Sequence, residues 1–495
     1  MLFNSYIFIL AFLPICLLGF YLLKTKWPDM AKLWLVLMSL WFYGYFNISY
    51  LAIMIFSLSV NYLFFNWIIK SNINKKIPLT LGVVANLGLL FYFKYYDFFV
   101  DNINSIFGSN LTLKGILLPL GISFFTFQQI GFLADTYRGE IKGCKLLDYC
   151  LFVTFFPQLI AGPIVNHDEM LPQFREIGKK VEADIFMRGV YIFILGMGKK
   201  VLLADTLGKC VDFAYINLNQ GINAWESFLA ILCYTLQLYF DFSGYCDMAI
   251  GLGNMLGINI PINFNSPYKA SNIIQFWKRW HITLNRFFTK NIYIPLGGNR
   301  NGKVRMCINL FIVFFLSGLW HGAGWNYILW GCMHGVLYII TRILQSIPSN
   351  DKKRGSITIV DKIKHTMGVI FTFVFVNVAW VFFRAPSIAD AMKILGNLVR
   401  EPWIKPSESF VGGFNRNELW YILKVLHLTD FGFSRYILTI AILILTLWLV
   451  FFGKNVHELA DKTRYKVSTA ILLGIVFVWS VLSLSEVGTF LYFNF

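Results

Sequence analysis

Seven histidines are spread over the 495 residues, at 167, 281, 321, 334, 365, 427 and 457. His321 sits in LSGLWHGAGW and His334 in LWGCMHGVLY, both inside or at the edge of long apolar runs. An ionisable side chain at membrane depth is costly and marks a functional position by default. Burial favours the neutral imidazole, the form that accepts a proton from a hydroxyl group. The competing reading is a histidine that bonds a nearby carbonyl and packs. His281, in FWKRWHITLN, also reads as a solvated interfacial side chain beside Lys278 and Arg279. The other four histidines lie in loops or near run ends and read as structural. Asp241 opens DFSGY after an apolar stretch; it suits orienting a histidine, binding a cation, or capping a turn before Ser243–Gly244. Asp247 lies close by. No H-x-x-x-H or H-E-x-x-H occurs, and His321 and His334 are 13 residues apart, so no metal site is expected. Ser243 lacks a G-x-S-x-G setting, which leaves no serine triad to propose.

The elements that must hold these groups are apolar. Runs long enough to span a bilayer, or nearly so, fall at roughly 2–23, 33–46, 50–69, 77–96, 115–135, 147–163, 186–203, 226–240, 307–325, 327–346, 366–384, 436–452 and 467–485. They predict an all-α polytopic bundle of roughly ten to thirteen membrane segments, some of them re-entrant. The first run lacks a basic leader and a small-residue cleavage pattern, so it is expected to stay as a transmembrane helix rather than act as a signal peptide. Lys24, Lys26 and Lys32 follow the first run; Lys70, Lys75 and Lys76 follow the third; Arg138, Lys142 and Lys145 follow the fifth. That alternation puts the N-terminus outside and these loops in the cytoplasm. Beyond residue 165 basic residues occur in nearly every loop and the pattern stops discriminating.

The stretch 241–306 is polar and rich in Asn, Pro and Gly, yet carries Phe264, Phe276, Trp277, Trp280, Phe287, Phe288 and Tyr293. Within it, 273–288 reads as one amphipathic interfacial helix, with Arg279 and Arg286 on its polar side and Ser271 or Asn272 as cap. Segments 349–356 and 400–420 read as exposed loops.

Composition narrows the classes further. Hydrophobic residues make up 57% and charged residues only 14%, against about 25% charged in soluble domains. Lipid must solvate much of this chain. The +17 formal charge fits cytoplasmic loops and anionic lipid headgroups, not nucleic acid. The eight cysteines include no C-x-x-C, and Cys144 and Cys150 are the nearest pair, so neither a disulfide framework nor a zinc ribbon is expected.

At these same residues the sequence resembles the membrane-bound O-acyltransferase (MBOAT) family, in the bacterial branch that holds the alginate O-acetyltransferase membrane subunit. The matching pieces are PQLIAGPI at 157–164, QLYFDFSGYCDMAIGLGNMLGI at 237–258, NFNSPYKASNIIQFWKRWHITL at 263–284, IYIPLGGNR at 292–300 and LSGLWHGAGWNYILWGCMHG at 316–335, with TFLYFNF at the end. The likeness runs over most of the chain, read as one domain over 1–495, and is densest at about 150–340. It implies a helix bundle around a central tunnel or funnel in the bacterial inner membrane. It also implies His321 as catalytic histidine, His281 as the second family histidine, and His334 and Asp241 in supporting roles. The implied donor is acetyl-CoA, with no tightly bound cofactor. The implied partners are a polysaccharide acceptor and an extracytoplasmic acyltransferase of the same pathway.

Three other readings compete. One is D-alanyl transfer toward teichoic acid; those relatives share FDF-G-Y and RWH-like motifs but typically lack the piece carried here by Ile294–Arg300. The second is a transporter of a lipid-linked glycan, compatible with Gly/Pro-interrupted helices, although no paired half-repeats are evident. The third is a noncatalytic scaffold.

Overall fold

A computed structural model describes residues 1–71, 74–346, 358–462, 466–486, 488, 490 and 491. The expected loop at 349–356 and, apart from Phe490 and Leu491, the quoted ending at 489–495 lie outside the described residues. The described chain is helical, with no strand among the described residues. In a bilayer, where no water satisfies backbone N–H and C=O groups, a helix closes its hydrogen bonds within one segment. Seven described helices are long and apolar enough to cross: Ile48–Lys70, Lys76–Phe107, Gly302–His321, Trp325–Gln345, Ile359–Arg384, Ser434–Phe451 and Val467–Ser485. The protein is a polytopic helical membrane protein. The remaining apolar runs also form helices, shorter or interrupted by polar residues.

The chain divides into two compact units, 1–195 with 245–262, and 196–244 with 263–495. In the first unit, α1 (Leu13–Leu23), α2 (Pro28–Gly44), α3 (Ile48–Lys70), α4 (Lys76–Phe107), α5 (Ile122–Tyr137) and α6 (Leu146–Thr154) follow in order. α4 continues well past the expected end of its run; the carboxylate of Asp97 accepts the Lys114 and Gly115 N–H groups at 2.7 and 2.9 Å. Apolar packing alone gives little direction between helices in lipid, so buried polar pairs set the register. Asn61 and Asn86 exchange amide hydrogen bonds of 3.2 and 2.6 Å between α3 and α4. Lys32 and Asp148 form a buried ion pair at 2.8 Å between α2 and α6. His167, read as structural, bonds Asp135 at 2.8 Å, and Arg138 pairs with the other oxygen of that carboxylate.

The second unit begins at the end of α7 (Ala183–Gly198) and takes in α8 (Asp205–Ile216) and α9 (Ala224–Met255) as far as Gly244. It continues through α10 (Ile273–Trp277), α11 (Ile282–Phe288), α12 (Gly302–His321), α13 (Trp325–Gln345), α14 (Ile359–Arg384), α15 (Ser434–Phe451) and α16 (Val467–Leu482). Two expectations change here. The 273–288 segment is two short helices rather than one, broken at His281, whose backbone is left-handed (φ 47°). Asn272 does cap the first, accepting the Gln275 N–H at 3.0 Å. The 400–420 segment is partly helical, and Phe410, Val411, Phe414 and Arg416 are buried, the last donating to the Val201 carbonyl at 2.8 Å.

α12 and α13 form an antiparallel hairpin joined by Gly322–Gly324. They meet backbone to backbone at Gly318 and Gly331: a Cβ built on Gly331 would stand 3.0 Å from the Gly318 Cα. Small residues permit this approach, and it brings His321 and His334 into one core. Gly331→Val is therefore expected to cost about 1–3 kcal/mol by overpacking and to lower the thermal unfolding temperature. An unchanged unfolding temperature would show that the hairpin yields without strain.

Candidate active site

The site is built from three segments of the second unit. His321 is the last residue of α12, 5% exposed. Aromatic rings enclose it: Trp320 at 4.8 Å, Trp330 at 5.0 Å and Phe383 at 5.2 Å between centroids. His281 lies 6.4 Å from it, ring centre to ring centre.

His281 is buried, not solvated as its basic neighbours suggested, and Phe242 stands edge-on to its ring at 4.9 Å. Its left-handed backbone is uncommon for a residue with a Cβ and needs surrounding contacts to hold it. Asn263 supplies them. The Asn263 backbone carbonyl accepts the Ile282 N–H at 3.0 Å. Its side-chain oxygen accepts the Thr283 N–H at 3.2 Å and the Thr283 hydroxyl at 2.9 Å. Because a backbone N–H donates to that atom, it must be the amide oxygen. The 3.2 Å contact from His281 Nδ1 to the same oxygen is then donated by the imidazole. This tautomer leaves the lone pair on Nε2. Burial lowers the His281 pKa from 6.5 to about 3, so the ring is neutral at physiological pH.

A histidine held neutral in the fold but free to protonate when unfolded contributes stability that is fully present above pH 6.5 and is lost as pH falls toward about 3. Unfolding temperatures measured between pH 7 and 4 are expected to fall less steeply in His281→Asn, asparagine being tolerant of the left-handed backbone. Parallel pH profiles for the variant and the wild type would contradict the neutral assignment.

His334 is fully buried in α13. Trp277 donates its Nε1–H to His334 Nδ1 at 3.3 Å, which makes neutral His334 an Nε2–H donor rather than a base. Trp330 connects the three-segment cluster: its ring lies 5.0 Å from both His321 and His334, 5.8 Å from Trp277, and stacks on Trp380 at 5.4 Å.

Asp241 lies elsewhere in this unit. It sits within α9, not at a turn, and its carboxylate pairs with Lys200 at 2.7 Å. Asn263, Trp330, Trp277 and Lys200 escaped sequence reasoning. A lysine pair at 199–200 inside an apolar run was the one usable signal; the partners of the others are remote in sequence.

Two cavities open toward opposite ends of the α12–α13 hairpin. The first, about 520 Å³, is lined by Lys278, Arg286 and Arg342, by Asn285 and Asn299, and by Trp277 and Phe314; no carboxylate lines it. The second, about 380 Å³, borders the turn after His321 through Ala323, Gly324 and Tyr327, with Asp212, Gln237 and Arg384 among its polar walls. Two imidazoles in an aromatic core, that of His281 held neutral by burial, with polar cavities to either side, can remove a proton from a hydroxyl nucleophile while excluding competing water.

The family model described as MBOAT, membrane-bound O-acyltransferase family, matches residues 133–377. Among curated proteins the chain is 39% identical to the peptidoglycan O-acetyltransferase of Helicobacter pylori, covering all of this chain and 98% of that protein. It is 36% identical to the probable alginate O-acetylase AlgI of Pseudomonas putida, over the full length of both. It is 30% identical to the teichoic acid D-alanyltransferase of Bacillus subtilis, over 44% of this chain and 57% of that protein. With seven helices among the described residues long and apolar enough to cross, the chain is a multi-pass protein of the bacterial inner membrane. The full-length relatives identify it as a member of the membrane-bound O-acyltransferase family and as an O-acyltransferase.

Proposed function

We propose that this protein takes an acetyl group from acetyl-CoA at the cytoplasmic face and passes it across the membrane for O-acetylation of an extracytoplasmic polysaccharide. The observation that carries this reading is the pair of cavities at opposite ends of the α12–α13 hairpin, in the unit whose aromatic core holds His281 and His321. The first cavity has three cationic walls and no acidic one, suited to the phosphates of a nucleotide thioester. Lys303 and Arg305 begin α12 and Arg342 ends α13, and Lys362 and Lys364 lie in the first turns of α14. So many cations at one end of the hairpin argue for a cytoplasmic position. The second cavity then faces outward, toward the acceptor. Acetyl in place of D-alanyl agrees with the names of the full-length relatives, the D-alanyl relative aligning over less than half of this chain.

In this scheme His321 removes the proton from the acceptor hydroxyl. The oxygen attacks the thioester carbonyl, the C–S bond breaks, and the departing thiolate takes the proton from the imidazolium. His281, its Nε2 lone pair fixed by Asn263, shares the hydroxyl; His334 and Trp330 hold the cluster. The acceptor hydroxyl belongs to the polysaccharide or to an extracytoplasmic acyltransferase that hands the group on.

Inverted membrane vesicles, which expose the cytoplasmic face, supply the test. Fed radiolabelled acetyl-CoA, they should deposit label in a base-labile ester on glycan or partner protein only when the chain is present. Label accepted solely from a D-alanyl carrier protein would replace this reading with the D-alanyl one. Glycan export that depends on the chain, with no ester formed, would favour a transporter.

A further inference from the structure

Three buried charges in the second unit serve no step above. Lys200 lies in a π-helical turn, Lys199–Ala204, a local widening of the helix that is frequent at functional sites. Its ammonium pairs with Asp205 at 2.6 Å and with Asp241 at 2.7 Å, all three side chains less than 10% exposed. One cation against two carboxylates leaves a buried negative charge that needs further donors. The backbone N–H of Leu491 meets that need, donating to the second oxygen of Asp241 at 3.0 Å. Lys200 also reaches the Gly488 carbonyl at 3.5 Å. Between these two anchors Phe490 is buried against Phe242, centroids 6.1 Å apart, and Phe242 in turn packs on His281. Gly488, Leu491 and Asp205 line the same cavity as Ala323 and Gly324, the turn that follows His321.

We propose that Asp241 is a positioning residue: with Lys200 and Asp205 it fastens the segment bearing Gly488, Phe490 and Leu491 as a wall of the cavity beside His321, and this wall sets how the acceptor is bound. The proposal rests on the reading of that cavity as the acceptor side. Asp241 touches neither histidine ring; it acts through the backbone of Leu491 and, through Phe490 and Phe242, on the packing around His281.

Two variants separate the anchor from the fold. Asp241→Asn removes one of the two charges that hold Lys200 and weakens the acceptor of the Leu491 N–H. Leu491→Pro deletes the donated N–H and leaves the three buried charges untouched, while Leu491→Ala keeps the N–H and isolates the effect of losing the side chain from the cavity wall. Purified protein in nanodiscs is assayed with radiolabelled acetyl-CoA and, as acceptor probe, envelope glycan from a deletion strain stripped of esters with mild base. Amide hydrogen exchange is followed in parallel on the peptide containing 488–491. Expected for Asp241→Asn and Leu491→Pro is a KM for the glycan raised at least tenfold, and for Asp241→Asn, which keeps the amide, loss of exchange protection at Leu491 alone. The KM for acetyl-CoA and kcat should stay within about threefold, and Leu491→Ala, which keeps the donated N–H, should keep the exchange protection of residue 491. The proposal is overturned if Leu491 stays protected in Asp241→Asn, if acceptor KM is unchanged in either variant, or if protection is lost across the whole protein. A wild-type protein that transfers no acetyl to this glycan would instead overturn the proposed function, whatever the exchange data show.

Discussion

His321→Ala should lower acyl transfer by about 10²–10⁴-fold, the contribution of a positioned general base, in a protein that still folds and inserts. His321 ends α12, where helix propensity matters least, and of the rings that enclose it Trp330 and Phe383 pack on each other and on Trp380 of α14. Removing one imidazole leaves that aromatic core largely in place. His321→Gln keeps much of the volume and hydrogen-bonding capacity but cannot carry a proton, so it should fail as fully as alanine. A glutamine variant with wild-type transfer would assign His321 to packing. Activity is measured at matched amounts of membrane-inserted protein, so that loss of chemistry is not confused with loss of chain.

Trp330→Ala should have the largest effect on stability, about 3–5 kcal/mol, the range for truncating a buried aromatic. Trp330 is fully buried and packs on His321, His334, Trp277, Trp380 and Phe383. The cavity left behind would loosen both α13 histidine packing and the wall behind His321, so activity should fall beyond what the lost stability explains. Trp330→Phe should be milder. The indole Nε1–H meets no acceptor among the described residues, so phenylalanine loses volume and no hydrogen bond. Thermal unfolding of the two variants, with alanine well below phenylalanine, checks the assignment; equal unfolding temperatures would show that Trp330 is dispensable to the core.

The helical membrane architecture could be read from apolar runs because one physical demand, backbone satisfaction without water, acts locally along the chain. The three histidines were visible for a related reason: His321 and His334 stand out against apolar neighbours, and the structure gathers them with His281 into one aromatic core. What could not be read depends on distant partners. The break at His281 follows from Asn263, 18 residues upstream, which accepts the Thr283 N–H and so interrupts a periodicity that looks continuous over 273–288. Asp241 looked like a turn former because DFSG is turn chemistry. Tertiary packing overrides it, and a lysine 41 residues earlier compensates the charge. The buried residues of 400–420 were hidden likewise, since their partners, such as Val201 for Arg416, lie far off in sequence.

If this chain makes glycan esters through His321, envelope acetylation must depend on that side chain. Ester-linked acetyl is measured in the envelope polysaccharide of a deletion strain carrying the intact gene, His321→Ala or no gene, at matched protein levels. Full acetyl is expected with the intact gene and none above background in the other two, with glycan still exported. Acetyl restored by His321→Ala to the level of the intact gene would contradict that dependence.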